Sequence, residues 1–174
     1  MLKKQSGAAL AVSLIILLVA TVIVVSGSQS GALQEKMTVA VREAHISLEI
    51  AESGIKDAEN VIDALTSTAG FNTSGTNGFY SQDAAPADIF EASVWGNAIT
   101  AAAATTVSGQ TARFFIEDQG VLPMPDEDLS GVNMTGYGQT TGSGDIRAFK
   151  IVSRSLGING NSERIVVSYY GKRF

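Results

Sequence analysis

The chain has no cysteine. That excludes disulfides, thiol catalysis and Cys-based metal sites, so any folded part must hold together by packing alone. It has one histidine, His45, and only three prolines among 174 residues. A hydrolase triad would have to be built around that one imidazole. Basic residues do not predominate: the formal net charge is −5, which argues against a nucleic-acid partner. Charge is also absent from one long stretch, since nothing ionisable stands between Lys4 and Glu35. By length the chain is one domain, or one domain plus an anchor.

What fills the uncharged stretch is AALAVSLIILLVATVIVV, residues 8–25. As a helix it would extend about 27 Å at roughly 1.5 Å per residue, close to the hydrocarbon thickness of a bilayer. Ser13 and Thr21 are its only polar members, and both can bond back to their own helix. Lys3 and Lys4 precede the run, which predicts a cytoplasmic N-terminus and everything after Val25 across the membrane. Three fates stay open on these residues. The run is a secretory signal cut near SGS at 26–28, a plain anchor, or a helix preceded by a leader that is removed after Gly7.

Beyond the run, SGSQSG (26–31) carries two glycines. Each costs about 1 kcal/mol in a helix relative to alanine, so this is the expected weak point of a continuous helix. A second helical pattern follows. Leu33, Met37, Val41, Ala44, Leu48, Ala51, Ile55, Ala58, Ile62 and Leu65 form one apolar stripe with a period near 3.5. Its alanines make it narrow and allow another element to approach closely. Glu49, Glu52, Lys56, Glu59 and Asp63 form a polar stripe, with Glu52 and Lys56 expected to pair at i,i+4. Residues 67–78 are loop-like. Residues 88–104 predict a second, shorter helix weakened at Gly96, and 111–118 (TARFFIED) a strand. Residues 120–144 predict a long loop. The end of the chain has two β-type runs, IRAFKIVSRS and SERIVVSYYG, flanking a turn that contains Asn159-Gly160. Strands this short need a third strand or a helix to cover one face. The expected fold is therefore α+β: a long N-terminal helix, half membrane-spanning and half amphipathic, packed on a small antiparallel sheet.

This order resembles type IV pilins and pseudopilins. SGAALAV (6–12) resembles a prepilin peptidase site. ALQEKM (32–37) and LEIAESGIKDAE (48–59) are similar to segments of PilX-type minor pilins. The resemblance implies a leader at 1–7, a transmembrane and assembly helix at 8–30, and an amphipathic helix plus globular domain at 31–174. It implies cleavage between Gly7 and Ala8 and N-methylation of Ala8. The protein would sit in the bacterial inner membrane, N-terminus cytoplasmic, before passing into an extracellular pilus that serves adhesion and twitching motility. Its partners would be other minor pilins, the major pilin, the prepilin peptidase and a tip adhesin. Most pilins carry glutamate as the fifth mature residue, and here that position is Val12. In pseudopilins a missing glutamate there marks the tip subunit, so Val12 implies a place at or near the filament tip.

Other chemistry is thinner. Asp126, Asp128 and Ser130 occupy the first, third and fifth places of a calcium-loop pattern, but Tyr137 stands where the closing glutamate belongs. A solvated acidic turn is the simpler account, and the sequence implies no cofactor beyond that weak calcium candidate. GYGQTTGSGD (136–145) lacks the ending of a phosphate loop. Trp95, Tyr169 and Tyr170 read as core or subunit contacts. No catalytic residue is expected. The competing function classes are a minor pilin, a tip pseudopilin of type II secretion, and a membrane-anchored periplasmic binding domain with an ordinary signal.

Overall fold

The computed structural model describes residues 6–122 and 146–174. The chain divides into two compact units, Met1–Arg42 and Glu43–Phe174. One helix, α1 (Ser6–Ala64), runs through the described residues of the first and opens the second. It continues through residues 26–31 without a break, so the two glycines there do not end it. Their cost, about 1 kcal/mol each, is spread over a helix of 59 residues with good formers on both sides.

The second unit adds a five-stranded sheet of β1 (Phe79–Tyr80), β2 (Ala101–Val107), β3 (Gln110–Val121), β4 (Ile146–Ser155) and β5 (Arg164–Arg173). β3, β4 and β5 follow one another antiparallel, β3 pairing with β4 from Arg113↔Arg154 to Val121↔Arg147. The far edge of β3 is shared. β2 pairs antiparallel with its first half, and β1 pairs parallel with it at Ile116 and Glu117. The sheet is thus antiparallel except at β1. The third strand and the terminal hairpin stand where the sequence predicts them. The hairpin turn is longer than a two-residue one, with residues 156–163 linking β4 to β5 and Gly157 and Gly160 at positive φ.

One expectation fails outright. Residues 88–104 do not form a helix. Ala92–Trp95 is a single 3-10 turn, and the alanine run 101–104 begins β2. Alanine's helix propensity is a weak prior, and here β3 offers ladder hydrogen bonds that a lone short helix could not replace.

The sheet has a core on each face. On one, Ile50, Ile55, Ala58 and Ile62 of α1 meet Phe114, Ile116, Phe149 and Ile151. On the other, Tyr80, Val94 and Trp95 cover Phe115 and Val152. Trp95 is a core residue, its indole N–H donating to the Ile89 carbonyl at 2.9 Å. The second layer is what the sequence reading missed: it comes from the irregular segment 81–99, which has no periodicity to betray it.

Candidate assembly surface

Every residue of α1 from 8 to 42 is solvent-exposed. The first part is apolar all round: Leu10, Leu14, Ile15, Ile16, Leu17 and Leu18 are each exposed, and the best 18-residue window has a mean hydropathy of 3.1. A helix apolar on every side belongs in a core or a membrane, and these side chains are all exposed. Ser13 Oγ and Thr21 Oγ1 donate to the carbonyls of Leu10 and Leu18 at 2.9 and 2.8 Å, which satisfies the two hydroxyl donors within the helix itself. By length and composition the helix can cross a membrane.

Gly7 and Ala8 lie in the first turn of α1, and Val12 about one turn further on with 56% of its surface exposed. No acidic residue occupies that first turn. The Gly7–Ala8 bond is therefore helical rather than extended. The first N–H groups of a helix have no intrahelical partner, so unwinding here is easier than anywhere further in. Asp126, Asp128 and Ser130, together with the glycine-rich stretch 136–145, lie outside the described residues.

From Ser47 onward α1 changes role. Ser47, Ile50, Ala51, Gly54, Ile55, Ala58 and Ile62 are buried, while Leu48 is 38% exposed. The packed face is thus turned towards Ser47 and Ile50 at its start, away from the stripe that the apolar letters suggest. Its centre is Gly54. A Cβ built there would lie 2.6 Å from the Ala112 Cβ and would overlap Ser153 Oγ. Helix and sheet touch backbone to side chain at that point. The close approach expected from Ala51 and Ala58 is real, but the residue that needs it most is a glycine the apolar pattern skips. Ser47 Oγ donates to the Ser162 carbonyl, and Asn159 Nδ2 to Glu43, so the 156–163 link docks on the same helix.

Polar contacts fix the rest. Asp57 accepts from the Thr105 N–H at 2.6 Å and its hydroxyl at 2.9 Å, holding β2 where its register with β3 slips. Lys56 pairs with Glu59 at 3.0 Å rather than with Glu52. Lys172 Nζ donates to the carbonyls of Ile62, Asp63 and Leu65, satisfying the C-terminal end of α1 with a cation where the helix dipole favours one. His45 is an exposed helix residue. Among the described residues no group of acidic and histidine side chains could hold a metal.

These features define a pilin-like α+β chain: an exposed apolar helix that continues into the packed spine of a small sheet domain. Residues 6–56 match the family model described as PilX N-terminal. That segment is similar to the N-terminal part of PilX-type type IV pilins. No curated protein and no solved structure matches the chain.

Proposed function

We propose that the protein is a minor pilin of a type IV pilus that primes assembly and sits at or near the filament tip. Residues 1–7 are its leader, cut after Gly7 by the prepilin peptidase, and the new amine of Ala8 is methylated. Residues 8–30 hold it in the bacterial inner membrane as a single pass with the N-terminus cytoplasmic, and residues 31–174 face outward. Assembly draws the apolar helix out of lipid into a bundle of like helices. That exchange gains little hydrophobic energy and depends on close packing of small residues, which Ala8, Ala9, Ala11 and Ala20 supply. The other minor pilins, the major pilin and a tip adhesin are the partners of this reading. It needs no catalytic group and no cofactor.

The observation that carries it is the unbroken α1, covered by the PilX match over residues 6–56 and apolar all round in its first part. The tip assignment rests on Val12. A subunit that has no neighbour's amine to neutralise would bury a carboxylate there without a partner, at considerable cost.

Mass spectrometry of the protein from its native membrane tests processing. The expected species starts at Ala8 and carries one methyl group; an intact Met1 or a start near residue 28 would sink the proposal. Immunogold labelling of sheared pili tests the position, and even label along the shaft would refute a tip location.

A further inference from the structure

Arg113 on β3 and Arg154 on β4 are directly opposed across the antiparallel ladder. Four pairs along the same ladder, Glu117 and Lys150 are opposed and form an ion pair at 3.3 Å. Opposed like charges repel where opposed unlike charges attract, so the arginine pair runs against the logic of its own sheet.

Their partners do not resolve it. Arg154 donates through Nε to Glu163 Oε1 at 2.6 Å, and its guanidinium lies 5.4 Å over the Trp95 ring. Arg113 donates to the Thr100 hydroxyl at 2.7 Å and the Thr100 carbonyl at 2.8 Å. Both of those oxygens are neutral. Among the described residues, then, Glu163 pairs with Arg154, Arg113 meets no carboxylate, and most N–H donors of the two guanidiniums have no protein acceptor. Only 14% of the Arg154 side chain is exposed, so water screens the repulsion poorly. A purely structural role accounts for the clamp on Thr100 and the stacking on Trp95. It leaves the excess positive charge unexplained, in a chain whose net charge is −5.

The two arginines line one cavity of about 210 Å³ with Gln110, Thr111, Ser155, Leu156 and Gly157. It is smaller than a typical cofactor pocket, roughly 300–1,000 Å³, and has room for a single acidic group. Guanidinium forks match oxyanions in planar, two-pronged fashion. We propose that this cavity binds an oxyanion, a carboxylate or phosphate group, held between Arg113 and Arg154. Glu163, whose side chain is 40% exposed, is the internal competitor that occupies part of Arg154 when the site is empty of ligand. The group could belong to an acidic side chain of another protein or to a free small acid.

Trp95 is the only tryptophan of the chain and stacks under Arg154, so it reports on the site directly. The full-length protein in neutral detergent is titrated with inorganic phosphate, with succinate and with a short Asp/Glu-rich peptide. Ionic strength is held constant against chloride and Trp95 fluorescence is followed. The expected result is a saturable change with at least one probe, weakened about tenfold or more by Arg113→Gln, less by Arg113→Lys, and strengthened by Glu163→Gln, since charge-assisted bonds carry the binding. Tightest binding of the peptide would assign the group to a protein side chain, and tightest binding of phosphate or succinate to a free anion. No saturable response to any probe would overturn the proposal, as would identical responses of wild type and a folded Arg113→Gln protein. If Arg113→Gln fails to fold for want of its Thr100 clamp, Glu163→Gln decides: unchanged or weaker binding in that variant would equally overturn it.

Discussion

Gly54 of α1 and Ser153 of β4 are packed so closely that neither can gain an atom: a Cβ on residue 54 would overlap Ser153 Oγ, and that buried hydroxyl has no hydrogen-bond partner among the described residues. The pair sits at the centre of the helix–sheet interface, between Ala51 and Ala58. Two opposite effects follow. Gly54→Ala gains about 1 kcal/mol of helix propensity but overpacks the interface, which costs about 1–3 kcal/mol, so a net loss is expected, and a larger one for Gly54→Val. Ser153→Ala removes a hydroxyl whose unpaired burial costs about 1–3 kcal/mol, and should raise the melting temperature. The double variant should melt higher than the sum of the two single effects, because the shortened side chain makes room for the new methyl. Thermal denaturation of wild type and the four variants checks each of these statements.

Lys172 bonds to three carbonyls at the end of α1. Lys172→Met keeps the aliphatic stem and removes the charge. A hydrogen bond to a charged group contributes about 1.5–3 kcal/mol, less where water can replace the donor, so a loss of about 1–2 kcal/mol is expected. Hydrogen exchange should rise most at the last turn of α1.

Tyr170 donates its phenol O–H to Asp63 Oδ1 at 2.8 Å. That bond, with smaller contributions from burial and from the negative charge of Asp63, raises the phenol above its ordinary value of 10.0. The folded state therefore favours the protonated phenol. Its contribution to stability is complete below pH 10 and is lost as the pH rises through the higher folded value. Wild type should lose stability above that pH more steeply than Tyr170→Phe, as measured by denaturant midpoints across the alkaline range.

Asp57 bridges α1 to β2 through the N–H and hydroxyl of Thr105. Asp57→Ala leaves that N–H without its acceptor at the register slip and should cost about 1–2 kcal/mol. Asp57→Asn, which keeps one acceptor oxygen, should recover part of the loss.

Val12→Glu restores the carboxylate that most pilins carry. If the subunit sits at the tip, pilus number and incorporation should change little, within about twofold, because no neighbour's amine is waiting for the charge. A marked rise in labelling along the shaft would point to a shaft subunit limited by its valine.

The features legible in the amino-acid sequence are local and periodic. The apolar run of residues 8–25, the helical stripe beyond it and the alternation in 146–155 and 164–173 are visible because a helix and a strand each impose a spacing on their own side chains. Those spacings were enough for the α+β class, the long helix, the third strand and the terminal hairpin. Tertiary structure decided the rest, because it depends on what lies opposite. Residues 101–104 became strand since β3 had a free edge to offer them. Residues 81–99 became a core layer without any repeat of their own. The buried face of α1 runs through Ser47 and Gly54, two letters no hydrophobic pattern selects, because they leave room for the 156–163 link and for Ser153. Arg113 and Arg154, forty-one positions apart in the chain, acquired a meaning only when β3 and β4 set them face to face.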